Sequence, residues 1–122
     1  MPPKKKTAVS QPSEKKVLPV PREKRNERYW ELLNNVIDPE LGVGIVDIGL
    51  IYHVDITAGV ATVTMTFTSP GCPAGPELMR RVESEMGRYP GVKDVKINIV
   101  WSPLWGADLM NPDIRELLFG TE

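Results

Sequence analysis

Apolar positions recur at two different periods along this chain, and the change of period marks its elements. Tyr29, Leu32, Leu33, Val36 and Ile37 fall three or four residues apart, the spacing of one helical stripe, which predicts a first helix over about 22–36. Asp38-Pro39 ends it, because the residue before a proline is pushed out of the α region, and 39–44 reads as a loop. From Ile48 the period drops to two. Ile48, Leu50, Tyr52, Val54 and Ile56 alternate with more polar neighbours, as on a half-buried strand. Ala58-Gly59 supplies a turn. Ala61, Val63, Met65 and Phe67 then alternate with Thr62, Thr64, Thr66 and Thr68. The first set belongs to a core, and the threonine row predicts a partly wet face. So short a gap makes the two strands a hairpin.

Ser69-Pro70-Gly71-Cys72-Pro73-Ala74-Gly75 is a rigid connector. A helix follows over about 76–89, with Pro76 in its first turn and Leu78, Val82 and Met86 on its buried stripe. Pro90-Gly91 ends it, and Val95, Ile97, Ile99 and Trp101 define another strand. Strand, helix, strand in this order is a right-handed βαβ crossover with parallel strands. Asn111 caps a last short helix that has Pro112 at its first position. The fold class is thus α/β (α+β): one small domain over 22–122, with a mixed three- to four-stranded sheet, helices packed on it, and a hairpin followed by the crossover. Residues 1–21, with five prolines and little to bury, read as a disordered basic tail.

The length of 122 residues suits one domain. One Cys excludes an intramolecular disulfide and a self-contained Cys₄ or Cys₂His₂ site, and one His excludes a two-His centre. No apolar run approaches the ~20 residues that span a bilayer, and no apolar region follows the N-terminal lysines as in a secretory signal. No membrane partner is therefore expected, and the cytoplasm is the expected location. The net charge of −1 conceals an asymmetry: residues 1–28 carry nine Lys/Arg and three Glu, whereas 29–122 carry six basic and thirteen acidic residues. The lysines at 4–6 suit a solubilising tail better than a nucleic-acid arm, since no aromatic residue is interleaved with them. Nucleic acid is not expected as a partner, although the basic tail leaves it open.

Cys72 is the leading candidate for chemistry. It lies just beyond a strand and four residues before Pro76, at the carboxyl end of the crossover, where open α/β sheets place ligand sites. The positive end of the following helix favours a thiolate, a metal ligand or nucleophile; the alternative is a small buried apolar Cys. Asp38, Glu40 and Asp47 flank the loop before the hairpin. They are either oxygen ligands or a base facing the same cleft, or a helix stop, a solvated acid and a turn holder. His53 reads as a half-exposed strand residue, and the methionines at 65, 79 and 86 read as core. Trp105 is either a lid on the core or a partner surface.

Several stretches together resemble a known family. They are Asp38-Pro39-Glu40-Leu41, Ile45 to Tyr52, Met65 to Pro73 with its Thr-Ser-Pro-Gly-Cys-Pro run, Pro90-Gly91-Val92, and Val100 to Trp105. They resemble the metal–sulfur cluster biosynthesis family of iron–sulfur assembly factors (PaaD-like, SufT-like) over about 26–120. The resemblance implies an assembly or targeting factor for iron–sulfur proteins rather than an enzyme. It places the family's reactive Cys on Cys72, its acidic residue on Asp38, and its Thr on Thr68, with Glu40 and Ser69 beside them as further candidate cluster-binding residues. Iron or an iron–sulfur cluster is then a transient ligand of Cys72. One chain does not supply the four ligands usual for a cluster, so others would come from a second copy in a homodimer, a partner, a small thiol, or Asp38 and Glu40. The implied partners are the assembly machinery and its recipient proteins. PaaD proper has an extra Cys-rich C-terminal segment that this sequence lacks. Two other readings stay open: a non-catalytic adaptor subunit, as in a phenylacetate-oxygenase-like system, and a thiol enzyme, which lacks a resolving Cys or an obvious base.

Overall fold

The structure, a computed structural model, describes residues 19–68, 71 and 73–120. The basic tail expected over 1–21 therefore lies, as far as residue 18, outside the described residues. In chain order the elements are α1 (Tyr29–Leu33), α2 (Ile45–Ile48), β1 (Ile51–Thr57), β2 (Val60–Met65), α3 (Gly75–Gly87), β3 (Asp94–Ile99) and α4 (Pro112–Phe119), with 3₁₀ turns at Arg22–Lys24 and Ala107–Leu109. The sheet order is β1-β2-β3. β1 and β2 are antiparallel, and β2 and β3 are parallel with Val63 opposite Ile97. This is the hairpin and crossover that the alternation predicts, in a small mixed-sheet α+β domain.

The period-two residues Val54, Ala61, Val63, Met65, Val95, Ile97 and Ile99 form one face of the core. Leu78, Val82 and Met86 of α3, with Trp30 and Leu33 of α1, close over it. The buried stripe of α3 lies at four-residue steps, so one helical face carries the contact. Met65 and Met86 are fully buried, as expected.

Three sequence expectations fail, each for a physical reason. The first helix is only Tyr29–Leu33. Residues 22–28 have no apolar stripe. Instead Arg22 and Arg25 use their side chains to tie a strap: Arg22 Nη2 donates to Leu109 O at 2.9 Å, and Arg25 Nε donates to Val20 O at 3.0 Å. The strap begins before residue 22, because Val20 N donates to Tyr52 O at 2.9 Å.

The second failure is that Ile45–Ile48 forms a helical turn rather than loop and strand start. Its cap comes from far away: Asn34 Oδ1 accepts from Val46 N (3.0 Å) and Asp47 N (2.9 Å). Gly49, at φ 92°, ends it in the left-handed region. The strand therefore starts at Ile51, and a register shift between Ile51 and His53 lets both Ile51 and Tyr52 be buried. The third is the threonine row, which is drier than predicted, with Thr64 and Thr66 buried. β2 is the central strand, so its small side chains are screened from both sides.

Candidate functional site

The carboxyl end of the parallel β2-β3 pair is a framed platform. β2 is extended by Thr66 N donating to Leu50 O, and β3 by Val100 N donating to Met65 O, both at 2.9 Å. Phe67 then meets Trp101, with ring centroids 6.1 Å apart. It also lies under the start of α3, where a Cβ on Gly75 would be 3.2 Å from Phe67 Cζ. Glycine at 75 thus lets α3 begin close to the sheet. The connector has to cross between these anchors. α3 starts from Ala74 with no side-chain cap, and Pro76 is in its first turn. Its leading amides and positive dipole end face the connector side. Thr68 is half-buried, and Gly71 and Pro73 are exposed. Cys72 and Ser69 lie outside the described residues.

The acidic candidates divide. Asp38 is buried and shapes its own loop. Its Oδ1 accepts from Glu40 N (2.7 Å) and Leu41 N (3.0 Å), and its own N–H donates to Val43 O (3.0 Å). This Asx turn sets the path of the Asp38-Pro39-Glu40 segment; Oδ2 takes part in none of these bonds. Glu40 is exposed and contributes only its backbone N–H.

Asp47 belongs to a clasp instead. Its Oδ2 accepts from Asn34 Nδ2 (3.1 Å), its Oδ1 from Asn111 Nδ2 (3.2 Å), and its carbonyl from Asn111 N (2.7 Å). With both oxygens engaged, it holds α1, α2 and α4 together, the turn-holding role among its two sequence readings. His53 is exposed, opposite Thr64 on the open face of the sheet. Trp105 lies half-buried on the core and donates Nε1–H to Ile48 O at 2.9 Å, so it acts as a lid.

Sequence reasoning missed Tyr52 and Asn34. The Tyr52 hydroxyl donates to Pro103 O at 2.7 Å, and burial, helped by the nearby Asp108 charge, pushes its pKa up to about 12. The signal for Asn34 was faint: a polar residue directly after an apolar stripe. Among the described residues, no group of three or more His, Cys, Asp or Glu side chains is gathered for a metal ion. A cleft of about 520 Å³, lined by Arg28, Leu32, Arg88 and Tyr89 among others, lies at the far end of α3 from the connector.

Fold and site together define a class: a small α+β domain presenting a Cys-bearing connector at the carboxyl end of a parallel strand pair, with an acid-locked Asp-Pro-Glu loop earlier in the chain. The family model described as "Iron-sulfur cluster assembly protein" matches residues 26–99. The chain belongs to that family. It is 49% identical over 77 residues to the Fe-S protein maturation auxiliary factor SufT of Staphylococcus aureus, covering 62% of this chain and 88% of the relative. It is 44% identical over 86 residues to the corresponding factor YitW of Bacillus subtilis, covering 70% and 84%. Among solved structures, a domain of unknown function from Bacillus anthracis superposes with a TM-score of 0.71 at 36% identity, over 75% of this chain and 88% of that one. The resemblance read from the motifs is thereby borne out. No helix among the described residues is long and apolar enough to cross a membrane.

Proposed function

We propose that this protein assists the maturation of iron–sulfur proteins, with Cys72 as a transient ligand for iron or a cluster that is cargo, not a resident cofactor. The family match over 26–99 carries this reading. The names of its relatives, two maturation auxiliary factors and, at 35% identity over 72 residues, an iron–sulfur cluster carrier protein of Deinococcus radiodurans, support it. The last match covers only 21% of that carrier's length.

The chemistry is consistent. A thiol binds metal as the thiolate, and the uncapped start of α3 stabilises negative charge a few residues from Cys72. A single Cys supplies one thiolate of the four ligands usual for a cluster, so a cluster held here would depend on ligands from elsewhere, which suits handing it on. Asp38 Oδ2 and Thr68 are the nearest candidates in kind to complete the ligand sphere, with Glu40 and Ser69 flanking them. The protein acts without turnover of its own, in the cytoplasm, on partners from the assembly machinery and the recipient apoproteins.

Replacing Cys72 by Ala tests this directly. Cells carrying the variant should lose activity of iron–sulfur enzymes while the protein accumulates to normal levels, and the purified variant should bind less iron in an anaerobic titration. Normal enzyme maturation together with identical iron binding would overturn the reading. A second reading has one observation behind it. The chain is 33% identical over 90 residues to a subunit of a putative 1,2-phenylacetyl-CoA epoxidase of Escherichia coli, though it spans only 54% of that relative. As an adaptor of that kind, the protein would tolerate Cys72→Ser and fail when a docking residue such as Leu104, which is 72% exposed, is changed.

A further inference from the structure

Among the described residues, the outer edge of β1 is met at one backbone bond, and that bond indicates what continues along it. The ladders fix which groups face outward. Thr66 N donates to Leu50 O and Val100 N to Met65 O, so even-numbered residues of β2 turn their backbone groups toward β1 and odd-numbered ones toward β3. His53↔Thr64, Asp55↔Thr62 and Thr57↔Val60 are then the hydrogen-bonded pairs. Val54 and Ile56 accordingly turn N–H and C=O away from the sheet, and neither finds a backbone partner among the described residues. Tyr52 O also faces outward, beyond the register shift, and there it accepts from Val20 N.

The direction of the strap is equally defined. From Val20 the chain runs to Arg22, whose guanidinium reaches Leu109 O and, at 3.5 Å, Asp47 O, beside α2 and the start of β1. Forward along the strap is backward along β1, so the residues preceding Val20 lead antiparallel toward Val54. The register set by Val20 and Tyr52 brings Leu18 opposite Val54 and Lys16 opposite Ile56.

The sequence suits that register. Pro19 and Pro21 fall where an N–H would point to solvent, the place where an edge strand tolerates proline. Val20 packs against the core, and the same register continued would set the apolar Leu18 on that face beside the buried Val54. It would also set Lys15 diagonally across from Asp55, an opposite-charge neighbour.

We infer that residues 16–20 form a fourth, antiparallel strand on β1, Leu18 bonding Val54 and Lys16 bonding Ile56. Residues 16–18 lie outside the described residues, and they are the occupant assigned to an edge that the described residues leave open. The strand shields an edge that would otherwise template pairing with another chain. It also fixes the lysine arm beside the acidic part of the molecule. It stands independently of the proposed function.

Amide hydrogen exchange of the full chain tests it. Val54 and Ile56 should be protected. Leu18→Pro, which removes the donor facing Val54, should speed their exchange tenfold or more and leave Val63 and Ile97 unchanged. Removal of residues 1–18 should do the same. Unchanged rates at Val54 and Ile56 in both variants overturn the inference. Protection that grows with protein concentration assigns the edge to a second copy and overturns it as well. Should Leu18→Pro accelerate all four amides by unfolding the domain, the wild-type spectrum decides: an Hα–Hα Overhauser contact between Val17 and Asp55 is expected, and its absence rejects the strand.

Discussion

Two regions of this domain use polar groups in opposite ways. In the clasp, Asn34, Asp47, Asn111 and Arg22 satisfy one another or nearby backbone amides and carbonyls, and both carboxylate oxygens of Asp47 are engaged. In the connector, α3 begins without a side-chain cap, while apolar contacts among Phe67, Gly75 and Trp101 hold the surrounding frame. The clasp gathers carboxylate, amide and guanidinium groups in one place, and the fold already engages both Asp47 oxygens, the Asn34 oxygen and amide, and the Asn111 amide. The start of α3 has fewer polar side chains around it, and its N-cap residue Ala74 gives its leading amides no side-chain acceptor. A polar cluster read from sequence is therefore a site only where its bonding capacity is not already taken by the fold.

Changes that force the backbone at the clasp should do the most damage. Gly49 stands at φ 92°, and a Cβ there would run into the carbonyl of Leu109. Gly49→Ala combines left-handed strain with a clash against backbone, and should cost about 3 kcal/mol or more in urea unfolding. A cost near that of an exposed Gly→Ala change, such as Gly87→Ala where a Cβ meets nothing, would show that the clasp is soft.

Removing the hub of the clasp comes next. Asp47→Ala strands the side-chain amides of Asn34 and Asn111 and should cost roughly 2 kcal/mol, since half-buried donors lose their acceptors. Asn111→Ala should cost less, about 1 kcal/mol, because it removes one of those bonds and the cap it gives to Asp113 N. If the two substitutions together cost the simple sum of each alone, the groups do not act as a network.

Much of the sheet was legible because period-two alternation survives into the structure: Ala61, Val63, Met65, Val95, Ile97 and Ile99 all reach the core. The last helix was legible from Asn111 and Pro112, and the Asn111 side chain does accept from Asp113 N at 2.9 Å. What misled was long-range. Ile45-Val46-Asp47-Ile48 has no local helix signal, and its cap, Asn34, is more than ten residues earlier in the chain. Arg22 and Arg25 read as a charged helix start because their acceptors, Leu109 O and Val20 O, are not predictable from spacing. Asp38 and Asp47 looked alike in sequence. Asp38 closes its own loop through backbone amides within three residues, whereas Asp47 reaches across to Asn111, a difference that only the fold decides.

Tyr52 joins the clasp side of the molecule to the segment after β3, and it gives a smaller, pH-dependent effect. Burial holds its phenol neutral to about 12 in the folded state, against an ordinary value of 10. The stability this provides is present below pH 10 and is lost as pH rises toward 12, because the unfolded chain ionises first. Tyr52→Phe should cost about 1 kcal/mol at pH 7, from the bond to Pro103 O. It should also flatten part of the decline in stability between pH 10 and 12. Tyr29, likewise pushed up to about 12, chiefly by burial and then by Glu27, contributes to the same decline, so Tyr29→Phe is the control. An unchanged alkaline profile in Tyr52→Phe would place the phenol outside the two-state unfolding unit.

The smallest stability effect should fall on Cys72, the residue for which the largest functional effect is proposed. If the connector is held by its ends, by Phe67 under Gly75 and by the ladder bond of Val100 to Met65, then the thiol of Cys72 contributes little to folding. Cys72→Ala should shift the unfolding free energy by about 0.5 kcal/mol or less, within the range of substitutions that touch no buried feature. Thiol alkylation of the wild type under native conditions should proceed at least as fast as that of a free cysteine at the same pH if the proposed role holds, since a helix start favours a nearby thiolate. A loss of about 2 kcal/mol, together with alkylation only after unfolding, would mean that the side chain is one more core contact. The connector would then differ from the clasp only in chemistry, since both would be committed to holding the fold.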